Sequence, residues 1–245
     1  DYNRVKIRTF RVMPALVWRG HSGSVFKLGA MYESNEVDRT ENRFISTLPA
    51  NHPVFDQQDF WGIDAKYEFI NKNDTAFPTL GFQIALNAGY KNNLATSKGF
   101  GYLIPELGFD YKLSPSGKLV LATDFNAQIN VGDEFEFYQA ATIGANNGLR
   151  GYRNQRFSGK NAFTHSTDIR WNFKKMKTQF VPISLGIYGG FDYGRVWIEN
   201  DDSNTWNNSL GGGVFVSMAE MLTGNISLFN SDDGLRFAFR VGFGF

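Results

Sequence analysis

The chain has 245 residues, of which 20% are charged and 16% aromatic, and its formal net charge is +1. This balance provides no electrostatic argument for a nucleic acid or an acidic partner, and the absence of cysteine excludes a disulfide scaffold or a thiolate metal site. The aromatic residues are mostly Phe and Tyr, which favour strands, and the length suits one large all-β domain. No segment has the roughly 20 consecutive apolar residues of a membrane helix.

Apolar and polar residues alternate with a period of two along nearly the whole chain. This pattern predicts about twelve antiparallel strands, at residues 3–19, 26–33, 61–71, 80–90, 103–112, 119–130, 135–143, 161–173, 180–197, 206–217, 222–230 and 235–245. Short turns and longer polar loops join them, the longest loop being predicted at 39–59. The last strand has the most regular alternation, with an apolar residue at every second position from Leu235 to Phe245.

The length of these strands favours a membrane protein. Many have ten or more residues, close to the roughly 9 to 11 that cross a bilayer at a tilt, whereas strands of soluble proteins usually have about five or six. A soluble barrel or sandwich is the alternative, because it can show the same alternation. We predict an all-β, antiparallel transmembrane β-barrel over residues 1–245, whose charged residues line a hydrated lumen because each would cost about 2 to 4 kcal/mol facing lipid.

A loop at 144–161 separates two of the predicted strands and contains Gly148-Leu149-Arg150-Gly151-Tyr152. A guanidinium in a confined lumen needs a carboxylate to accept its hydrogen bonds. Asp192 has lumen-facing parity on the strand predicted at 180–197, and the glycines Gly190 and Gly194 leave space around it. A buried ion pair between Arg150 and Asp192 would fix the loop inside the barrel. A solvated loop arginine is the alternative that the spacing leaves open.

Together the two segments resemble motifs of a known family. The run 148–152, followed by Arg156-Phe157-Ser158-Gly159, is similar to the Val/Leu-Arg-Gly-Phe/Tyr loop of the BamA/TamA superfamily. That superfamily includes two-partner secretion transporters and barrels fused to patatin-like or phosphoesterase domains. The run 190–194 resembles its Gly/Phe-x-Asp-x-Gly strand motif. The resemblance implies that Arg150 reaches Asp192 in the lumen and holds the loop as a lock or conformational switch.

Other features agree with the resemblance. Five predicted strands follow the loop, and Asp168 and Arg170 stand where the family carries a Glu-x-Arg pair, here with Asp in place of Glu. Phe243 and Phe245 resemble the C-terminal recognition signal of outer-membrane barrels. Family barrels usually have sixteen strands, so the chain is expected to be the C-terminal part of one. Its start at Asp1, without an initiator Met, favours missing N-terminal strands and a missing upstream periplasmic region.

The resemblance implies a protein of the Gram-negative outer membrane that inserts or translocates client polypeptides. Its expected partners are membrane lipids, the clients, and accessory subunits or a fused N-terminal periplasmic domain, with no nucleic acid. One alternative function is a membrane anchor and exit pore for a fused upstream hydrolase of the phosphoesterase or patatin-like type. A passive porin is a further alternative.

The sequence offers no catalytic constellation, and we predict neither an enzyme nor a cofactor or metal site. His165 and Ser166 are adjacent on a predicted strand, so they point to opposite faces and do not form a Ser–His couple. His52 lies near Asp56 and Asp59 in the polar loop, where a metal could bind but where such residues are usually solvated.

Overall fold

The protein is described by a computed structural model that covers residues 4–74, 77–132, 135–173, 176–177, 181–199, 204–218 and 222–243. Within these ranges the regular structure is almost entirely β, with four short 3-10 helices at His21–Gly23, Phe44–Thr47, Pro53–Phe55 and Phe137–Gln139. None of the described helices is long and apolar enough to cross a membrane.

Fifteen strands follow one another along the described chain. They are β1 Lys6–Val12, β2 Ala15–Arg19, β3 Ser24–Asp38, β4 Gln58–Lys72, β5 Gly81–Asn93, β6 Gly99–Lys112, β7 Leu119–Val131, β8 Ala141–Ile143, β9 Phe157–Gly159, β10 Asn161–Asn172, β11 Met176–Lys177, β12 Pro182–Trp197, β13 Asn207–Met218, β14 Leu222–Ser231 and β15 Gly234–Phe243. Most are 10 to 16 residues long, as expected for strands that cross a bilayer.

One antiparallel sheet forms the wall, in the order β1-β3-β4-β5-β6-β7-β10-β12-β13-β14-β15. β2 continues β1 along β3 in the same register, since Val12 pairs with Tyr32 and Ala15 with Gly29. The break between them contains Pro14, which has no N–H to donate to the ladder. Among the described residues the order ends at β1 and β15, which do not pair with each other. The predicted all-β antiparallel wall is confirmed, as an incomplete barrel that is not closed.

The prediction of a wall strand at 135–143 is wrong. β7 pairs directly with β10 along its length, which leaves no room for another strand between them. The intervening chain instead forms the 3-10 helix at Phe137–Gln139 and the short strand β8, which pairs with β9 in a separate two-stranded sheet. Among the described residues, eleven strands therefore form the wall order where about twelve were predicted, and five of them follow the loop, as expected.

The two faces of the wall invert the pattern of a soluble protein. Each wall strand carries large apolar side chains that are exposed, such as Leu235 and Phe237 on β15, at 69% and 65%. Several charged residues on the opposite face are buried, among them Glu33 and Asp192 at 2% and 0% exposure, whereas Arg8, Glu36 and Asp38 form ion pairs at one end of the outer face of β1 and β3. A soluble sandwich or barrel would bury the apolar face, so that alternative does not fit. An apolar outer face around a polar interior is the arrangement of a transmembrane barrel.

This orientation predicts that arginine destabilises the inserted barrel at one position of β5 and is tolerated at the adjacent one. Ile84 is exposed on the outer face, whereas Gln83 points inward and lies across Gly108 from Asp124. Ile84→Arg is expected to destabilise the inserted barrel by up to about 2 to 4 kcal/mol, because the charge faces lipid. Gln83→Arg gains a nearby carboxylate and is expected to insert normally. The free energy of unfolding of each variant is measured by urea titration in lipid vesicles, with the folded fraction read from the shifted band on unheated gels. Equal stability of the two variants would contradict the assigned faces.

Candidate functional site

The loop between β7 and β10 folds onto the inner face of the wall and has a small hydrophobic core of its own. Leu149 and Tyr152 are buried and pack against Ala141, Ile143 and Ala162 from β8 and β10. The chain reverses at Gly148, whose φ of 80° lies in the left-handed region that glycine adopts without strain. The packing of Leu149 and Tyr152 leaves the side chain of Arg150, between them, directed at the wall.

Arg150 binds two carboxylates on neighbouring strands. Its backbone N–H donates to Asp192 Oδ2 at 2.9 Å, and its Nε donates to Asp192 Oδ1 and Oδ2 at 3.1 and 3.0 Å. Its Nη1 and Nη2 donate to Asp168 Oδ2 and Oδ1 at 3.1 and 2.7 Å, and Nη2 also contacts Asp192. The structure thus brings Arg150 and Asp192 together. It adds Asp168 as a second acceptor.

The guanidinium also packs on aromatic rings. Its central carbon lies 4.2 Å from the ring centre of Phe229 and 5.8 Å from that of Tyr188, so the cation faces the negative face of a π-system on its remaining side. Burial acts to lower the pKa of Arg150, but the hydrogen bonds and charges of Asp192 and Asp168 outweigh it and raise that pKa. The group therefore remains a cation at every pH at which the protein is folded.

The loop backbone is bound to the wall beside the arginine. Ser209, which pairs with Asp192 across the β12–β13 ladder, accepts from the N–H of Gly151 at 3.2 Å and donates to Asp192 at 3.2 Å. Ser231 donates to the carbonyl of Gly151 at 2.8 Å, and the hydroxyl of Tyr152 donates to a β13 carbonyl at 3.1 Å. Sequence reasoning missed both serines, because an isolated serine in a strand has no pattern that marks it.

Glycine 190 makes room for the ion pair. A β-carbon at this position would lie closest to Asp168 Oδ1 and 2.7 Å from Arg150 Nη2, both closer than real contacts allow, and 3.1 Å from Phe229 Cζ, which is a tight contact. At Gly194 the close neighbours are instead the Phe163 carbonyl oxygen and Thr164 Cγ2 of β10, both at 2.8 Å, with Ile143 of β8 at 3.4 Å. Gly190 therefore leaves space for the ion pair, and Gly194 leaves space for the neighbouring strand β10.

Asp168 and Arg170 lie on the same inner face of β10, both buried, but the described bonds give them different partners. Asp168 binds Arg150, whereas Arg170 donates to Asp110 of β6 at 3.2 Å. Asp110 also binds Lys72 at 3.0 Å. The two residues thus contribute to two ion clusters, because Asp168 lies beside the inserted loop whereas Arg170, one inward position further along β10, reaches Asp110 past β7.

Residues near both ends of the loop 144–161 contact the hairpin formed by β14 and β15. Arg156 donates to Asp233, in the turn between β14 and β15, at 2.7 and 3.2 Å, and Arg240 of β15 donates to the carbonyl of Ala145. Of the predicted C-terminal signal, Phe243 ends β15 opposite Leu222, with a side chain that is not described. Phe245 lies outside the described residues.

The histidines do not form a reactive site with their neighbours. His165 faces outward and contacts the hydroxyls of Thr123 and Thr167 at 2.6 and 3.0 Å, whereas Ser166 faces inward and donates to the carbonyl of Gly148. The Nδ1 atom of His52 accepts from a backbone N–H at 3.2 Å at the start of a 3-10 helix. Within the described part of the chain, no group of three or more His, Asp or Glu side chains is placed to hold a metal ion.

An incomplete antiparallel barrel with a lipid-facing exterior and a loop bound to its inner wall defines the chain as part of a transmembrane β-barrel with an internal loop. The family model for haemolysin secretion/activation protein ShlB/FhaC/HecB matches residues 59–217, more than half of the chain. The chain belongs to this family. No curated protein sequence matches it.

Among solved structures, the chain is similar to the crystal structure of BamA from Haemophilus ducreyi lacking POTRA domains 1–3. The TM-score is 0.70 at 15% sequence identity, and the match covers 98% of this chain and 55% of that one. The chain therefore spans about half the length of this relative. The resemblance to the BamA/TamA superfamily is confirmed, and the protein is an outer-membrane β-barrel of Gram-negative bacteria. The matched family consists of secretion and activation proteins rather than enzymes.

Proposed function

We propose that the chain is the barrel of an outer-membrane polypeptide transporter, in which the loop 144–161 acts as a lumenal lock. The observation that carries this proposal is the guanidinium of Arg150, held between the carboxylates of Asp192 and Asp168 on adjacent wall strands. Family membership supports a role in polypeptide secretion. The position of the loop over the inner face supports the idea that the loop controls movement through the lumen.

The geometry suits a lock with two discrete states. Asp192 accepts the guanidinium, the Arg150 backbone N–H and the Ser209 hydroxyl at once. Partial withdrawal of the arginine would leave buried charges without partners, which is unfavourable by several kcal/mol. The loop is therefore either bound with all these contacts or released with all of them hydrated. A bistable element of this kind is what an opening transition requires.

We also propose that residues 1–245 all belong to a single barrel domain. Further strands would complete this barrel in the full-length protein. The open sheet order between β1 and β15 supports this, because an unpaired strand edge is not tolerated in lipid. Accessory subunits or a fused N-terminal periplasmic domain would then present client polypeptides to the lumen.

The test uses the full-length protein, produced in a Gram-negative host together with its secreted client. Arg150→Ala is expected to reduce the client in the medium several-fold while the amount of barrel in the outer membrane stays normal. It should also raise the open fraction in planar-bilayer recordings, because the loop no longer occupies the lumen. Arg153→Ala, at an exposed arginine of the same loop, is the matched control and should change neither quantity.

Each alternative function has its own outcome in this experiment. A high, steady conductance that Arg150→Ala does not change would indicate a passive porin and contradict the lock. Release of an active hydrolase from the same polypeptide, with no separate client, would indicate an anchor and exit pore. Normal secretion by Arg150→Ala would show that the ion pair has only a structural role.

A further inference from the structure

A side chain from the opposite end of the wall crosses the interior towards the lock. The loop 144–161 joins β7 to β10 at one end of the strands, whereas the turn between β4 and β5 lies at the other end. From this turn Phe77 packs on Phe215 of β13, with the ring centres 4.5 Å apart. Four wall strands lie between β5 and β13 in the sheet order, so Phe77 reaches Phe215 across the lumen rather than along the wall.

Phe215 belongs to a cluster of three buried rings on the inner face, which we call the aromatic platform: Tyr188 of β12, Phe215 of β13 and Phe229 of β14. The ring centres of Tyr188 and Phe215 are 6.2 Å apart. Glycines of the wall leave space for these rings, since a β-carbon at Gly186 would collide with Phe215 and one at Gly213 would lie 2.9 Å from Tyr188 Cε1. The rings therefore lie directly against the wall backbone and pack as one unit.

The aromatic platform is contacted from both directions. The guanidinium of Arg150 lies 4.2 Å from the ring centre of Phe229 and 5.8 Å from that of Tyr188. Phe77 packs on the same cluster at Phe215, which is only 2% exposed. Because close-packed rings restrict one another's positions, the platform is a physical link between the arginine of the lock and the phenylalanine of the turn.

The turn itself is ordered by local hydrogen bonds. In its described residues, 73–74 and 77–80, Asn73 Oδ1 accepts from the N–H groups of Thr79 and Leu80, both at 3.0 Å, and Asn73 Nδ2 donates to the Thr79 hydroxyl at 2.9 Å. Asp74 accepts from the N–H of Phe77 at 2.8 Å. These bonds fix the backbone around Phe77 independently of the platform, so the ring is presented to the lumen with little further loss of conformational entropy.

We propose that Phe77 is a positioning residue of the lock: by covering the aromatic platform, it holds the rings of Tyr188 and Phe229 against the guanidinium of Arg150. The inference rests on the proposed function of the loop 144–161 and adds a control on that loop from the other end of the lumen. Withdrawal of Phe77 exposes Phe215 to water and removes support from the rings on which Arg150 packs, which favours the released state of the loop.

The position of the turn gives this link a direction. The two longest connections of the chain, at 39–57 and 132–160, lie at the end of the wall from which the lock loop enters. Barrels of the outer membrane have their longer loops outside the cell and their short turns in the periplasm. Phe77 is therefore on the periplasmic side, and a client that reaches the barrel there meets the turn before it meets the lock.

The test measures cleavage of the loop by trypsin at Arg153, Arg156 and Lys160 in the full-length protein, with the sites identified by mass spectrometry. Phe77→Ala is expected to raise the cleavage rate about three- to tenfold, the change in the released population when one aromatic contact is lost. Phe77→Tyr keeps the ring and should be cleaved at the wild-type rate.

A matched control and a second variant keep the measurement interpretable. Leu113→Ala removes an exposed apolar side chain from the turn between β6 and β7, at the same end of the wall, and should leave the cleavage rate unchanged. The folded band on unheated gels shows whether each variant forms the barrel. Phe77→Leu, which loses only the aromatic contact, replaces Phe77→Ala if that variant does not fold, and should also raise the rate.

The same substitution in an Arg150→Ala background separates positioning from a merely structural role. Without the guanidinium the aromatic platform has nothing to hold, so Phe77→Ala should raise cleavage no further. Equal effects in both backgrounds, no rescue by Phe77→Tyr, or wild-type protection of the loop in the folded Phe77 variants would overturn the role of Phe77 alone. Wild-type protection in Arg150→Ala would instead overturn the lock, and this inference with it.

Discussion

Asp192→Ala is expected to release the loop from the wall and to lower the free energy of unfolding by about 3 to 5 kcal/mol, the range for removing one partner of a buried ion pair. Asp192 is completely buried and binds the Arg150 backbone, the guanidinium and Ser209. Its loss leaves the arginine with Asp168 alone and removes the acceptor that fixed the loop backbone. No other single carboxylate of the described structure makes as many contacts with the loop.

Trypsin measures this release directly. The loop contains Arg153, Arg156 and Lys160, which should be cleaved much faster in Asp192→Ala than in the wild-type barrel. Asp233→Asn is the matched control, because its bond to Arg156 is partly exposed and such pairs contribute at most about 1 kcal/mol. Identical cleavage rates in Asp192→Ala and the wild type would contradict the lock.

A double-mutant cycle separates the interaction energy of the Arg150–Asp192 ion pair from other effects of the two substitutions on stability. Removing Arg150 together with Asp192 avoids leaving Asp192 buried without a partner, although Asp168 still loses its arginine, so the double variant should be less destabilised than the sum of the single variants. Additive effects would show that the two side chains stabilise the barrel independently, despite the hydrogen bonds between them.

The second large effect is expected from a single methyl group at Gly190. Gly190→Ala places a β-carbon closest to Asp168 Oδ1 and 2.7 Å from Arg150 Nη2, so the carboxylate of Asp168 and the guanidinium have to move from their paired positions. Overpacking of this kind destabilises by about 1 to 3 kcal/mol. The loop should become accessible to trypsin, while the wall strands still insert into the membrane.

The neighbouring glycine supplies the control. Gly189 faces outward on the same strand, and a β-carbon there would meet only the Gly211 carbonyl at 3.9 Å. Gly189→Ala should therefore be neutral in both cleavage and unfolding. If the two alanine variants behaved alike, the space left by Gly190 would be unrelated to the arginine, and the geometric basis of the lock would be lost.

Much of the wall is predictable because a strand has a period of two. The alternation along β15 places its apolar side chains on one face whatever strand lies beside it. The same parity puts Asp192 on the inner face, and the length of the strands distinguishes a membrane wall from a soluble sheet. These conclusions need only local geometry.

The inward-folded segment at 135–143 shows where local geometry is insufficient. Its alternating residues match a strand, and β8 is indeed extended, but β7 and β10 are already paired with each other. A period-two pattern states that a segment is extended with two different faces. It does not state which other strand the segment joins.

Strand parity in the sequence placed Asp192 on the inner face, whereas the inward direction of Arg150 was implied only by the resemblance of its loop motif, since spacing left a solvated arginine open. Only the tertiary structure decided that Asp168, Ser209 and Phe229 complete the site and that Arg170 turns to Asp110 instead. Those contacts depend on the register between strands, and register is set by pairing and turn geometry along the whole sheet rather than by the pattern within any one strand.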